Sequence, residues 1–354
     1  MDIPREMRGA VLLGPEQIEI RKVPIPLPGA GEMLVRIGAA TTCGTDVKVF
    51  RRGGHPRMLK VPTLFGHELA GTVAEVGPGP QKFTPGDRVV VANSAPCGSC
   101  DFCHGGRENL CRDLHYLNGA FAEYILVPSR FVQRNTYLLP ADLSFDLAAL
   151  TEPLACVLHG IEACGLSTRP GGGPQRETAV WGAGPIGLLF VAALARGGHR
   201  VVLADLDPGR LQTGIRLGAS ATVQVGGAGS QAYLVRAHTR LGEGAEVVID
   251  ATGVPDVWKD AILSVRPGGL VNLFGGCPPG TTIPLDTAHL HYHEITVMGV
   301  YHHRPATVQA ALEMLASKAF DAGLLLSAEY PIELVEEALR RMIRKEAIKV
   351  VVRP

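Results

Sequence analysis

A glycine-rich turn at residues 182–187 limits the folds open to this chain more than any other stretch of its sequence. The turn follows the apolar run 178–181 and precedes an apolar stretch that continues to Arg196. In a strand–turn–helix unit, the first glycine permits the turn, the second lets a pyrophosphate approach the backbone, and the third lets the helix pack on the strand. The predicted cofactor contacts at this turn are Gly182, Gly184, Pro185, Ile186 and Gly187.

After this turn, apolar runs alternate with helix-length segments. Such runs are typical of strands that are buried on both faces of a parallel sheet. We therefore predict a doubly wound α/β domain in this half of the chain. Its predicted strands cover 178–184, 200–205, 221–224, 246–252, 270–275 and 295–300.

Asp205 closes the second of these strands, about 20 residues after the turn, where a carboxylate binds the adenosine ribose hydroxyls of a dinucleotide. A carboxylate at this position repels a 2′-phosphate, so the sequence favours NAD over NADP. Arg210 lies five residues further on and is predicted to stack near the adenine, with an ordinary helix-surface charge as the alternative.

The first part of the chain has a different pattern. Short β segments separated by Gly and Pro fill residues 10–135, and residues 17–20 alternate polar and apolar side chains. This pattern predicts a mostly antiparallel, barrel-like unit. The loop 168–177 separates the two halves, and the tail after residue 300 is too short for a domain, so we expect it to return to the first unit.

Composition excludes several classes of protein. The 34 basic residues equal the 34 acidic ones, so the chain lacks the positive charge that drives binding to nucleic acid or to an anionic membrane. Apolar runs are too short for a membrane-spanning helix, and the first residues do not resemble a signal peptide. We expect a folded cytoplasmic protein that acts on a small molecule.

Four cysteines form a compact cluster in the first half: Cys97, Cys100, Cys103 and Cys111. In a cytosolic chain this spacing indicates metal ligands more than disulfides. Four sulfurs complete a tetrahedron around zinc and leave no open position, so the predicted site is structural. An iron–sulfur cluster is the alternative, and a redox disulfide is a weaker one.

A second motif set gives the chain a family resemblance. Residues 43–46 read CGTD, residues 66–68 GHE, residues 86–89 GDRV and residues 152–154 EPL. Together with the cysteine cluster and the nucleotide turn, in this order, they resemble the medium-chain zinc-dependent alcohol dehydrogenase family. Within it, the chain is similar to the polyol (sorbitol) and threonine dehydrogenase branch.

The resemblance implies a GroES-like β-rich catalytic domain and a Rossmann domain. The implied boundaries are 1–153 for the catalytic domain, with a zinc lobe at 94–114, and 154–300 for the NAD-binding domain. Residues 301–354 are expected to return to the catalytic domain. Related enzymes form homodimers or homotetramers. The remaining expected cofactor contacts are Leu273, Phe274, Gly275, Val300 and Tyr301.

The resemblance also implies a catalytic zinc, and hence two zinc ions per chain. Cys43 and His67 would be ligands, together with either Glu68 or Glu152. Taken alone, a Cys and a His are more often core residues. Thr45 would be the first proton carrier, with a helix N-cap as its structural alternative.

The implied reaction is hydride transfer from a secondary alcohol of a polyol or sugar derivative to NAD, which gives a ketone. L-threonine 3-dehydrogenase is the nearest alternative. A catalytically silent NAD-binding protein is the alternative of another class.

The chain departs from the branch at Lys48, where related enzymes commonly have a relay histidine. We expect Lys48 to be a surface or cofactor-phosphate contact, with water or His55 assisting proton transfer. Arg51 and Arg52 could recognise an anionic substrate, but a solvated charged turn is the favoured interpretation. The histidines at 289, 291, 293, 302 and 303 suggest an extra metal site by number only.

Overall fold

The computed structural model describes residues 3–226 and 229–354. The chain folds into two compact units. The first contains Met1–Ala155, Arg304–Lys318 and Leu325–Pro354, and the second contains Cys156–His303 and Ala319–Leu324. Residues 301–303 and the short segment Ala319–Leu324 therefore belong to the second unit, whereas the sequence-based boundaries assigned all of 301–354 to the first.

The first unit is β-rich, and short helices connect its strands. Its strands before the nucleotide turn are β1 Glu6–Gly14, β2 Gln17–Pro24, β3 Met33–Thr41, β4 Thr63–Leu64, β5 Glu68–Val76, β6 Arg88–Val91, β7 Ser94–Ala95, β8 His115–Tyr116, β9 Tyr124–Val127 and β10 Thr136–Leu138. The helices in this stretch and at its end are α1 Gly44–Arg52, α2 Asp101–His104, α3 Ser129–Arg134, α4 Phe145–Ala148 and α5 Thr151–Ala163.

The second unit alternates strands and helices as the sequence predicts. Its strands are β11 Glu177–Trp181, β12 Arg200–Asp205, β13 Ala221–Gln224, β14 Ala245–Asp250, β15 Val265–Leu273 and β16 Thr296–Gly299. Its helices are α6 Pro185–Arg196, α7 Pro208–Arg216, α8 Ala232–Ala237, α9 Pro255–Leu263 and α10 Thr287–Tyr292.

The chain then returns to the first unit. The returning elements are α11 Pro305–Ala316, β17 Leu326–Pro331, α12 Val335–Ile343 and β18 Lys349–Arg353. Strand β17 was not predicted, because its exposed and half-buried residues give little apolar signal. Helix α12 begins directly after a 3₁₀ turn at Ile332–Leu334.

Two sheets enclose the core of the first unit. The larger sheet has the order β10-β6-β5-β3-β18-β17, with β9 also paired to β3, and the smaller has the order β2-β1-β4. Among the described strands of this unit, β17 and β18 form the one parallel pair. The predicted antiparallel character is therefore confirmed for the rest. Phe50, Phe65, Phe121 and Phe131 are fully buried in this core.

The second unit is built on a six-stranded parallel sheet with the order β13-β12-β11-β14-β15-β16. Strand order reverses between β11 and β14, and ligands of such sheets bind at the carboxyl ends of the strands beside this reversal. The predicted doubly wound α/β fold is confirmed. In the described ranges, no helix is both long enough and apolar enough to cross a lipid bilayer.

Candidate functional site

The four-cysteine lobe lies between β7 and β8. The Sγ atom of Cys103 lies 3.9 Å from that of Cys97 and 3.5 Å from that of Cys100, and the Cys100 and Cys111 sulfurs are 3.9 Å apart. A tetrahedron of sulfurs at the usual zinc–sulfur bond length has edges of about 3.8 Å. All four cysteines are free of disulfides. The spacing therefore fits one shared metal ion, whereas a cluster of two or more irons would spread the sulfurs further apart.

Backbone N–H groups point at these sulfurs. Cys97 N donates to the Cys111 sulfur at 3.2 Å, and Ser99 N donates to the Cys97 sulfur at 3.4 Å. The hydrogen bonds from Ser99 lower the pKa of Cys97 to about 5, whereas burial raises the pKa of Cys103 to about 12. A metal ion would level this difference, because it holds its sulfur ligands as thiolates.

The second cluster lies where three strands of the large sheet meet. Thr41 at the end of β3 pairs with Glu68 at the start of β5 and with Val351 of β18. Cys43 follows β3 and is the N-cap of α1, while His67 precedes β5. The ligand atoms of Cys43, His67 and Glu68 all lie within 4.8 Å of one another. The sheet register therefore gathers three of the four predicted ligands of the catalytic zinc.

Asp46 orients two of these ligands, a role that the sequence reasoning missed. Its Oδ1 lies 2.9 Å from Nδ1 of His67, and its Oδ2 accepts a hydrogen bond from Cys43 N at 2.9 Å. Burial opposes the charged imidazole, but the Asp46 carboxylate and Cys43 outweigh it and raise the pKa of His67 well above its ordinary value. Because Nδ1 is committed to Asp46, Nε2 is the atom available to a metal.

The carboxylate of Glu68 is completely buried, and its two oxygens differ. Oε2 accepts hydrogen bonds from the Thr41 hydroxyl and from Nζ of Lys349. Oε1 has no hydrogen-bond partner among the described residues. A buried carboxylate oxygen without a donor is costly, and a cation beside it removes that cost. The donor set of one sulfur, one imidazole and one free carboxylate oxygen fits zinc.

Glu152, the alternative carboxylate ligand, lies in the first turn of α5 and is also buried. Burial is the main cause that raises its pKa to about 7; the charge of His67 opposes this effect, and Glu68 adds to it. Glu152 therefore lies within electrostatic range of the Cys43, His67 and Glu68 group, although it is not part of that group.

The residues of α1 decide between roles that the sequence left open for Thr45 and for the two arginines. Thr45 is not the N-cap, since Cys43 holds that position and its sulfur accepts from Thr45 N at 3.4 Å. Lys48, Arg51 and Arg52 are exposed. Both arginines lie in the last turn, where positive charge is favourable to the helix, so a solvated turn explains them.

His55 is half-buried beyond α1 and is held by its own loop. Its Nδ1 accepts hydrogen bonds from the backbone N–H groups of Arg57 and Met58, at 3.2 and 3.0 Å. Burial, together with the positive charges of Arg57, Arg52 and His67, lowers the pKa of His55. The neutral imidazole therefore carries its proton on Nε2.

In the second unit, the glycine turn has the geometry that a dinucleotide needs. Gly182 adopts a φ of +97°, and a Cβ on Gly187 would lie 1.7 Å from the Gly182 carbonyl oxygen. Both positions therefore require glycine for the backbone itself. A Cβ on Gly184 would meet nothing within 4 Å, so space is left at the N-terminus of α6, where a phosphate binds.

Asp205 lies beside this turn. Its Oδ2 accepts from Ala183 N at 2.5 Å and its Oδ1 from Asp207 N at 2.9 Å. Asp207 in turn caps α7, where it accepts from the backbone N–H of Arg210. These bonds fix the Asp205 carboxylate at the carboxyl end of β12, where ribose recognition requires it.

The other predicted contacts lie at the ends of β15 and β16. The backbone N–H of Gly275 donates to the Asp250 carbonyl at 2.8 Å, and the Phe274 ring packs edge-on against Phe190. Phe274 and Leu273 are both half-buried at the end of the strand. Val300 and Tyr301 follow β16, and Tyr301 stacks on His302.

Asp250 is a further residue at this edge that sequence reasoning missed. Its side chain accepts from the Thr252 hydroxyl at 2.6 Å and from Trp258 Nε1 at 3.0 Å. Burial raises its pKa, although these donors act in the opposite direction. In the sequence, Asp250 could be noticed only as an acidic residue at the end of a buried strand.

The histidines that suggested an extra metal site do not all lie together, and three of them lie on and after α10. The rings of His289 and His293 lie 4.9 Å apart on and after α10. In the part of the chain that the structure describes, neither they nor His291 share a group of metal-ligating atoms.

Comparison with known proteins gives two family matches. Residues 29–137 match the alcohol dehydrogenase GroES-like domain, and residues 185–317 match the zinc-binding dehydrogenase domain. Sorbitol dehydrogenase of Bacillus subtilis (strain 168) is 32% identical over 99% of this chain and 98% of its own length.

Solved structures agree with this placement. A putative zinc-binding dehydrogenase from Sinorhizobium meliloti 1021, bound to NADP, superposes with a TM-score of 0.89 at 29% identity, over 99% of this chain and 100% of its own. Alcohol dehydrogenase TADH from Thermus sp. ATN1 gives a TM-score of 0.85 at 30% identity, over 98% and 99% of the two chains. With its cysteine lobe, its Cys–His–Glu group and its nucleotide turn, the chain belongs to the zinc-dependent medium-chain alcohol dehydrogenases, an oxidoreductase family, and within them to the polyol branch.

Proposed function

We propose that this protein is an NAD-dependent dehydrogenase that oxidises a secondary alcohol of a polyol or sugar derivative to a ketone. The observation that carries the proposal is the Cys43, His67 and Glu68 group, with its free buried carboxylate oxygen. Three protein ligands leave one position open, which distinguishes a catalytic zinc site from the closed four-cysteine site.

The roles of the residues follow from this arrangement. Cys43, His67 and Glu68 would hold the catalytic zinc, and Cys97, Cys100, Cys103 and Cys111 the structural one. When bound, zinc acts as a Lewis acid that makes a substrate hydroxyl more acidic, and NAD accepts hydride. Thr45, whose backbone N–H donates to the Cys43 sulfur, would be the first carrier of the hydroxyl proton. Glu152 is the second carboxylate available to the site.

The choice of NAD rests on Asp205. The related Sinorhizobium protein is bound to NADP, so membership of the family does not by itself choose NAD. In this chain a carboxylate ends β12, and its Oδ2 accepts a hydrogen bond from Ala183 N in the glycine turn. That negative charge favours ribose hydroxyls and disfavours a 2′-phosphate.

The test is a substrate and cofactor panel. Purified protein is mixed with NAD or NADP and with polyols of three to six carbons, sugar acids and L-threonine, before and after treatment with a chelator. We expect chelator-sensitive reduction of NAD with a polyol. Turnover that survives complete zinc removal would exclude the mechanism, and oxidation of threonine alone would identify a threonine dehydrogenase.

A pair of cysteine variants supplies the control. Cys43→Ser should lose one zinc per chain and the activity together. Cys164→Ala changes a half-buried thiol of the second unit that belongs to no described metal group, so it should keep both the zinc and the activity. A homodimer or homotetramer and a cytoplasmic location stay predictions, which light scattering and cell fractionation would decide.

A further inference from the structure

The catalytic metal group contains a buried lysine that the proposed reaction does not use. Lys349 lies at the start of β18, and its side chain is 1% exposed, beside a Glu68 side chain that is 0% exposed. Nζ donates to Oε2 of Glu68 and, at 2.7 Å, to the Thr42 carbonyl oxygen. Lysine is almost never fully buried without a paired charge. The returning segment of the chain therefore delivers a cation to the metal site.

Lys349 makes the two oxygens of Glu68 unequal. Oε2 is held by Lys349 and by the Thr41 hydroxyl, whereas Oε1 has no partner among the described residues. Rotation of the carboxylate to present both oxygens to a metal would break the ion pair. In the absence of that ion pair, the Thr41 hydroxyl is the one described donor left on Oε2.

The charge of Lys349 acts on more than one group. Burial opposes the charged ammonium, but the nearby Glu68, Cys43 and Glu152 outweigh it and raise the pKa of Lys349. The same charge opposes a divalent cation at the site, since like charges repel strongly in a buried environment. Lys349 therefore both fixes the carboxylate ligand and weakens its hold on a metal.

We propose that Lys349 is a positioning residue for the catalytic metal: it restrains Glu68 to a single metal-facing oxygen and shares its charge, so that Glu68 remains a displaceable ligand. This inference rests on the proposed function. It explains how a site with two buried carboxylates, Glu68 and Glu152, keeps one position available to a substrate. It also assigns Glu68, not Glu152, as the ligand in the absence of substrate.

The test compares Lys349→Met with the wild type. Methionine keeps a long unbranched side chain but removes the charge and the hydrogen bonds of Lys349, which leaves the Thr41 hydroxyl as the one described donor to Oε2 and lets the carboxylate turn both oxygens toward a metal. We expect the variant to retain two zinc ions and to release the catalytic one to a chromophoric chelator about tenfold more slowly, the scale of outer-shell effects on metal sites. kcat should fall about tenfold while the KM for NAD stays unchanged.

Spectroscopy and a control lysine complete this comparison. The visible spectrum of the cobalt-substituted protein should change in Lys349→Met, because the coordination number rises. Lys318→Met, which removes a lysine of the same unit with a 69% exposed side chain, should match the wild type. A Lys349→Met variant that releases zinc as fast as the wild type, or faster, would overturn the inference. Wild-type protein that binds only one zinc would instead overturn the proposed function.

A second pair of variants keeps the inference testable if Lys349→Met does not fold. The pair consists of Glu68→Gln and the double variant Glu68→Gln with Lys349→Met. Both carry an amide in place of the carboxylate at residue 68. In these two variants only the direct repulsion between Lys349 and the metal is left, so their zinc-release rates should differ by about twofold, well below the tenfold effect expected when Glu68 is present. A tenfold difference between them would show that Lys349 acts elsewhere.

Discussion

At the scale of single residues, the catalytic cluster depends on Asp46. Replacement by Asn keeps the size of the side chain, but the amide has only one oxygen for its two partners, His67 Nδ1 and Cys43 N. We expect Asp46→Asn to bind the catalytic zinc 10–100-fold more weakly, roughly the usual effect of losing the partner of a ligand histidine. Metal analysis after dialysis should show the structural zinc retained, and loss of both ions would contradict this prediction.

Asp205 determines the second residue-scale prediction. Asp205→Asn keeps an acceptor oxygen but removes the negative charge that faces the nucleotide turn. The ratio of kcat/KM with NADP to that with NAD should rise about tenfold or more, a change of roughly 1.4 kcal/mol. Steady-state kinetics with both cofactors measure it. Asp207→Asn, which alters the neighbouring α7 cap, is the control and should leave the ratio unchanged.

The limits of sequence-based prediction are also visible at this scale. The cysteine cluster and the glycine turn could be predicted because their residues are close in the sequence. Asp46 had a local signal as well, since it stands at the third position of a helix that Cys43 caps. Lys349 had none, because 281 residues separate it from Glu68 and only the sheet register brings β18 beside β3.

At the scale of elements, the four-cysteine lobe has little structure to hold it besides its metal. Two very short strands, β7 and β8, and the four-residue helix α2 frame it. A lobe of this kind gains most of its stability from the metal. Removal of the structural zinc should therefore expose this lobe to proteolysis before the rest of the first unit.

The same lobe gives a prediction about thiol reactivity. Ser99 lowers the pKa of Cys97 to about 5, so without metal its thiolate persists at every pH above that value; burial keeps Cys103, with a pKa of about 12, protonated. Only the thiolate is nucleophilic. In zinc-free protein, iodoacetamide should label Cys97 first, at a rate that is flat near pH 7 and falls as the pH drops through 5.

Peptide mass spectrometry identifies the labelled cysteine. Zinc-loaded protein is the control, because metal-bound sulfur is protected and none of the four cysteines should react quickly. Cys164, whose pKa burial raises to about 12, should stay unlabelled in both forms. Faster labelling of Cys103 than of Cys97 in the zinc-free protein would contradict the assignment.

At the scale of the whole molecule, each unit has its own hydrophobic core and its own ligands. Both zinc sites lie on residues of the first unit, and the glycine turn and Asp205 lie in the second. Ligands stabilise the unit that binds them in its folded form. Metal and cofactor should therefore act on different parts of the unfolding process.

Calorimetry should resolve these two effects. NAD at about 100 times its Kd should stabilise the second unit by roughly 2.7 kcal/mol, whereas a chelator should destabilise the first.

Gly184→Val should abolish the NAD effect without unfolding the protein, because a Cβ at residue 184 meets nothing within 4 Å but occupies the space left for the phosphate. Gly187→Val, whose Cβ would lie 1.7 Å from the Gly182 carbonyl oxygen, should instead unfold the second unit even without NAD. Retention of the full NAD effect in Gly184→Val would place the cofactor away from this turn.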